Sequence, residues 1–443
     1  MRKQLIFLFG LVLSLSVEAA NISFADSHVK AVCVEQWDTD GDGELSEEEA
    51  AMVTDLGHVF VQDTDIKSFD ELRFFTSLTS ISSSDFKGCN NMVSIQLPPQ
   101  LKSIGKSAFT SCSRLTAIVI PEGVKTIGDF AFNGCIRLAS LNLPEGLTSI
   151  GEYSFNDCSA LMSLAIPSTL TTIPTNAFMG CSSITSLTVA AGNTVFDSRE
   201  DCNALIRTST NTMVLGTTNS TFPSSVVAIG DQAFSGNSKL VSIDIPEGIK
   251  NIGESAFSNC SSLVSVALPS SLTTIKLAAF NGCQTLTDVL LREGLKTIEG
   301  SAFEQCYGLK RISIPASVKT IEYNAFYQCT SLVEVTVGFS APLSISSTVF
   351  SNRRNATLYV PQGCVPAFQQ ANYWKEFKSI KEWYASGDVN HDGYVNIFDV
   401  TLVIDYILDK NPEGFYVEEA DVNADGFINV FDVTLIIDII LQK

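Results

Sequence analysis

L-T-A-I-V-I-P-E-G-V-K-T-I-G-D-F-A-F-N-G-C, from Leu115 to Cys135, decides how this chain folds. Its apolar residues fall into two groups. Leu115, Ile118 and Ile120 suit a short strand, and Pro121 ends it because proline has no amide hydrogen to extend a ladder. Val124, Ile127, Ala131 and Phe132 then fill a return path. One coil of this size cannot bury its own apolar residues, so it needs copies of itself on either side. The copies are present. Phe86, Phe109, Phe132, Phe155 and Phe178 are 23 residues apart, and so are Phe234, Phe257, Phe280, Phe303 and Phe326. A fixed period of this length marks a solenoid. The expected fold is an α/β repeat solenoid, dominated by β-structure, in 23-residue coils across residues 74–380.

The array is interrupted once, between Phe178 and Phe234, within an insertion of about residues 190–222. Residues 203–216 of that insertion read as a hairpin leaving the coil, either a passive elongation or a functional element. The far end, about 351–380, reads as the cap that solenoids require, with L-Y-V-P at 358–361 and then a helix over Val365–Trp374. Nine cysteines occupy one slot, three residues after the repeat phenylalanine: Cys89, Cys112, Cys135, Cys158, Cys181, Cys260, Cys283, Cys306 and Cys329. Nine cannot all pair, and Asn237 fills the same slot in one repeat, so a ladder of buried free thiols is expected. Cys33, Cys202 and Cys364 are left unassigned. The outward strand positions are small or weakly polar, as at Thr116, Ala117 and Val119, at Ala139, Ser140 and Asn142, and at Val264, Ser265 and Ala267. That face suits a protein ligand better than a sugar; the other reading is a spacer with no ligand.

The pattern L-x-x-I-x-I-P-x-x-V-x-x-I-G-x-x-A-F-x-x-C resembles the BspA-like, Treponema-type leucine-rich repeats. The resemblance covers roughly residues 75–380. It implies a bacterial surface or secreted protein, with adhesion to host or neighbouring-cell proteins as the expected role.

A second pattern is written twice near the C-terminus. Residues 388–399 read D-V-N-H-D-G-Y-V-N-I-F-D and residues 421–432 read D-V-N-A-D-G-F-I-N-V-F-D. Calcium takes roughly six to eight oxygens at set loop positions, with glycine at the sixth for a sharp turn. The first loop offers Asp388, Asn390, Asp392, the Tyr394 carbonyl, Asn396 and Asp399 around Gly393. The second offers Asp421, Asn423, Asp425, the Phe427 carbonyl, Asn429 and Asp432 around Gly426. The 33-residue offset, the closing Asp and one helix after each loop resemble a type I dockerin over about residues 387–443, within a domain expected at 381–443. That family docks onto cohesin modules and assembles extracellular complexes, commonly polysaccharide-degrading ones. Its partner-contacting positions are usually Ser or Thr, whereas here they are Ile397-Phe398 and Val430-Phe431. The departure leaves the calcium role intact and does not carry over which cohesin-like partner is bound.

A third loop, D-T-D-G-D-G-E-L-S-E-E-E at 38–49, places Asp38, Asp40, Asp42, the Glu44 carbonyl, Ser46 and Glu49 at calcium-ligand positions. Flanking helices are expected over 26–37 and 47–60, giving an EF-hand-like cap within 20–73. Three calcium ions are therefore expected.

Residues 1–19 read as a secretory signal, with Arg2 and Lys3, an apolar core from Leu5 to Val17, and a small-x-small site at Val17-Glu18-Ala19. The mature chain is expected outside the cell, with no membrane span. Its net charge of −20 is concentrated in the two ends: 14 acids against 3 bases over 20–73, and 13 against 3 over 381–443. The balanced middle argues against nucleic acid as a partner. His28, His58 and His391 are too few and too scattered for a zinc site or a triad; His391, inside a calcium loop, is expected to face solvent. Catalytic motifs are absent. The expectation is a non-enzymatic protein whose solenoid binds a protein ligand and whose C-terminal module docks it into an extracellular complex. The alternatives are an accessory part of a polysaccharide-degrading assembly and, ranked lower, a hydrolase with an unfamiliar site.

Overall fold

The structure is a computed structural model that describes residues 20–392 and 394–441. The expected export signal at 1–19 and Gly393 of the first C-terminal loop lie outside the described residues. The chain divides into two compact units. One extends through Cys181 and includes Val189–Thr194; the other comprises Ser182–Thr188 and everything from Val195 onward.

The first unit is a stack of coils. Four two-residue strands, Ser80–Ile81, Ser103–Ile104, Thr126–Ile127 and Ser149–Ile150, form one parallel sheet in which each residue faces its counterpart one repeat away. On another side of the coil, Ala117–Val119 pairs in parallel with Ser140–Asn142. The period-2 alternation sends Ile118 inward while Ala117 and Val119 stay exposed. Leu115, Ile118, Ile120, Val124, Ile127, Ala131, Phe132 and Cys135 are all at most 3% exposed, so these eight positions form the repeat's share of the core. Phe60, Phe86, Phe109, Phe132, Phe155 and Phe178 stack as near-parallel rings, centroids 5.1–5.5 Å apart. Coils approach so closely that a Cβ on Gly151 would sit 2.4 Å from the Asp129 amide nitrogen.

Helices α1 (Ser27–Trp37) and α2 (Glu47–Met52) close the N-terminal end of this unit. Trp37 meets Phe75 edge-on at 5.3 Å and Phe60 at 6.3 Å, sealing the ring column. The second helix is much shorter than expected: it stops at Met52 because Val53 takes extended dihedrals.

The second unit has a ring column of its own, from Phe234 through Phe257, Phe280, Phe303 and Phe326 to Phe350, with centroids 5.0–5.4 Å apart. The hairpin expected to leave the coil does not. Strand Ala204–Arg207 pairs antiparallel with Thr212–Gly216, but the latter then pairs in parallel with Ala228–Ile229, so the hairpin is built into the sheet. Gly216 lies under the Phe234 ring, where a Cβ would be 2.1 Å from the aromatic edge. At the other end, strands Thr357–Pro361 and Ser379–Trp383 extend the parallel sheet. The helix expected over Val365–Trp374 ends at Gln370 (α3, Val365–Gln370), and Tyr373 takes φ 67° before a short 3-10 turn at Trp374–Glu376. That break drops Trp374 into the core, where its indole N–H donates to the Leu343 carbonyl at 2.8 Å.

All nine repeat cysteines are free. Each thiol donates to the carbonyl of the preceding phenylalanine in its column, 26 residues earlier in eight cases and 29 for Cys89 on Phe60, at 3.0–3.4 Å. At the odd slot, Asn237 Oδ1 accepts from the Thr218 hydroxyl at 3.2 Å instead. Cys33, Cys202 and Cys364 are unpaired as well.

Beyond the last strand, α4 (Ile397–Ile407), α5 (Val417–Ala420) and α6 (Val430–Leu441) enclose a small core of Val389, Val395, Val400, Val403, Ala420, Val433 and Ile436.

Candidate calcium loops and docking faces

The three loops share one wiring. In each, the closing carboxylate turns back to hold the backbone N–H groups of loop residues two and nine. Glu49 accepts from Thr39 N at 2.7 Å and Ser46 N at 2.9 Å. Asp399 accepts from Val389 N at 2.9 Å and Asn396 N at 2.8 Å. Asp432 accepts from Val422 N at 3.0 Å and Asn429 N at 2.9 Å. Positions nine and twelve are three residues apart, which is also the spacing of a helix capping box. Ser46 with Glu49, and Asn396 with Asp399, form such boxes at the starts of α2 and α4. The exit helix therefore nucleates on the loop's own ligands.

The remaining predicted ligands are gathered by Asx turns. Asp38 accepts from Gly41 N and Gly43 N, Asp40 from Asp42 N, and Asp42 from Glu44 N. One carboxylate oxygen from each of Asp38, Asp40 and Asp42 lies within 4.8 Å of the others. In the C-terminal loops, Asp388 and Asp421 each accept from the fifth residue's amide at 3.1 Å. Asn390 and Asn423 donate side-chain amides to Asp392 and Asp425 at 3.0 and 2.9 Å. The Tyr394 carbonyl accepts from the Asn396 side chain, and the Phe427 carbonyl from that of Asn429.

This donor set fits a hard divalent cation, and burial supports that fit. Asp388 is 1% exposed, and Asp399 and Asp432 are fully buried. Burial, and after it the charge on Asp388, raises the Asp399 carboxyl above its ordinary value despite the backbone N–H groups it accepts. Clustered buried anions are costly without a counter-cation. Glu49 differs: the Ser46 amide, with further hydrogen bonds from Thr39 and Ser46, outweighs desolvation and holds its carboxyl down to about 2.

Ile397, Phe398, Val430 and Phe431 are 63–73% exposed, so none belongs to the module's core. Sequence reasoning missed that Tyr394 and Phe427 are equally exposed, at 72% and 73%. Each C-terminal loop thus shows three largely apolar side chains, at its seventh, tenth and eleventh positions. His391 corrects the expectation of a solvent-facing residue. Its ring lies stacked between Tyr384 and Tyr416, at centroid distances of 3.4 and 3.6 Å, with Nε2 3.1 Å from a Glu419 oxygen. Gln362 of the cap donates to the His391 carbonyl. The second loop has Ala424 at the equivalent position, so only the first loop is clamped in this way. Nothing local in sequence announces the clamp, because its partners lie at separate points in the chain.

Among the described residues, no helix is long and apolar enough to cross a membrane. Residues 64–202 and 212–333 match the BspA type leucine rich repeat region in six copies, and residues 386–441 match the dockerin type I domain. A leucine rich cell surface protein from Faecalibacterium prausnitzii A2-165 is similar in structure, with 29% identity, a TM-score of 0.50, and coverage of 59% of this chain and 77% of that one. The pneumococcal vaccine antigen PcpA shares the fold, at 22% identity and a TM-score of 0.52, covering 70% of this chain and 78% of that one. No curated protein sequence matches the chain. Both modules that were matched are interaction modules, and neither match indicates a catalytic domain. With more than half of its residues inside the repeat match, the chain belongs to the BspA-type leucine-rich repeat family and carries a type I dockerin domain after the repeats.

Proposed function

We propose that this protein is a secreted, non-catalytic adaptor. Its solenoid presents a surface to a protein ligand, in the manner of an adhesin, and its dockerin plugs that surface into an extracellular complex through a cohesin-like partner. Three calcium ions, one per loop, hold the end modules in shape. Asp38, Asp40, Asp42, Glu44, Ser46 and Glu49 would hold one ion. The sets Asp388, Asn390, Asp392, Tyr394, Asn396 and Asp399, and Asp421, Asn423, Asp425, Phe427, Asn429 and Asp432, would hold the others. Calcium supplies charge compensation there and no chemistry.

The observation that carries this reading is the matched pair of exposed apolar faces. Tyr394, Ile397 and Phe398 on one loop, and Phe427, Val430 and Phe431 on the other, are left in water beside loops that a cation would rigidify. Solvent-exposed clusters of large apolar side chains mark interaction sites, and aromatic anchors dominate binding energy. On the solenoid, the exposed strand positions include Val119 and Leu290, at 70% and 50% exposure. Capture of a cohesin module by the immobilised chain should require calcium and vanish with chelator. Phe398→Ser alone should weaken capture only slightly, since the second face substitutes. Phe398→Ser with Phe431→Ser should abolish it while calcium stoichiometry and helix content survive. Undiminished capture by the double variant would place recognition elsewhere.

A further inference from the structure

We propose that His28, Asp63 and Asp65 form a binding site for a divalent transition-metal ion of the zinc class, at the seam between α1 and the turn that follows Phe60. One ligand atom from each of the three side chains lies within 4.8 Å of the other two. His28 Nε2 is 2.7 Å from Asp63 Oδ2. Asp63 Oδ1 is occupied by the Asp65 amide at 3.0 Å, which leaves the other oxygen turned to the imidazole.

Both sides of the site stand on pinned backbone. Asp26 caps α1 by accepting from His28 N at 3.0 Å, and its second oxygen takes Lys67 N at 2.7 Å, so one side chain ties the helix start to the segment after Asp65. Asn91 of the next coil holds the Thr64 carbonyl at 2.8 Å, inside the Asp63–Asp65 turn.

The donors are one imidazole nitrogen and two carboxylate oxygens. Zinc accepts that set and leaves a position for water, whereas calcium prefers oxygen throughout. The His28 side chain is 37% exposed, which leaves room for that water. Two ligands on a tetrahedral zinc ion stand about 3.3 Å apart. The present pair need open by only about half an ångström, a movement that a half-exposed side chain supplies. An ordinary His–Asp ion pair would use Asp63 alone; Asp65 brings a second carboxylate to the same imidazole. A bound ion would staple the N-terminal module to the first coil across 35 and 37 residues of chain.

The test uses the full mature chain in saturating calcium, so that the loops are filled, with Zn2+ added by calorimetry. One Zn2+ per chain is expected. His28→Gln should weaken it at least tenfold, and His58→Gln should leave it unchanged. Asp65→Asn keeps the His28–Asp63 pair, so it separates a metal site from an ion pair: weaker zinc binding supports the site, and an unchanged isotherm overturns it. Zinc binding that survives His28→Gln, or that excess calcium displaces, also overturns it. Calcium stoichiometry and circular dichroism report whether each variant is folded; if His28→Gln is not, Asp65→Asn decides alone.

Discussion

In the coils of the second unit the buried polar side chains of the ladder are thiols. Cys260, Cys283, Cys306 and Cys329 are fully buried, uncharged, and each satisfied by a phenylalanine carbonyl. In the C-terminal module the buried polar side chains are carboxylates, and Asp388, Asp399 and Asp432 crowd into loops around a seven-residue apolar core. The coils draw their stability from ring stacking and strand ladders that need nothing from solution. The module has a small core and several buried carboxylates, so on the proposed reading a bound cation supplies much of its stability. One chain therefore joins a region whose buried polar groups are neutral to a region whose buried polar groups are carboxylates.

The largest expected effect separates the two directly. Chelator should unfold the segment after Gly387 while the coils keep their structure. Circular dichroism should lose the helical component and retain the β component, and hydrogen exchange should stay slow at the parallel strands. Simultaneous melting of both would show that the coils depend on the module.

Alkali should reverse the ranking. Burial pushes the thiols of Cys135 and Cys283 up to about 12, and those of Cys112, Cys260 and Cys306 rise well above the ordinary value as well. A raised acid pKa means that the folded state keeps its proton longer than the unfolded chain. The ladder's contribution is thus fully present below the unfolded thiol value and is lost as pH climbs from there toward 12. Each such thiol costs the folded state about 1.4 kcal/mol per pH unit in that window. Thermal melts in calcium between pH 7.5 and 10 should show the coils weakening steeply while the calcium module holds. A flat profile would mean that the ladder is oxidised rather than free.

A smaller, local effect is expected from Phe257→Ala, which removes one ring from the middle of a column. A loss of about 3–5 kcal/mol is expected for a fully buried phenylalanine. The calcium isotherm should not change, because no ring of the column enters a loop. Altered calcium stoichiometry in this variant would break the independence of the two regions.

The coils were legible in the sequence because a 23-residue period places the same residue type in the same environment at every turn. Phe132 and Cys135 could be assigned from their copies alone. The loops were legible for a related reason: ligands to one ion must come from a short stretch, and Asp388 to Asp399 is such a stretch. What stayed hidden depends on contacts between distant residues of different kinds. His391 looked like a solvated loop residue until Tyr384 and Tyr416 closed on it from either side. His28 looked isolated because Asp63 and Asp65 come to it from beyond a helix and the acidic loop at 38–49. The hairpin at 203–216 looked like an excursion because pairing in parallel with Ala228–Ile229 is invisible in its own alternation.

The thiol-to-carbonyl bond that recurs at nine of the coils also bears on how such a gene can change. Every rung in a column offers the next one the same carbonyl, the same ring face and the same strand edge. Unequal crossing-over that adds or removes a whole repeat therefore inserts a unit whose every contact already exists on both sides. A slip by any other number of codons moves Phe and Cys out of the slots where the neighbouring coils need them. The solenoid can lengthen or shorten in quanta of 23 residues without any change to the C-terminal loops.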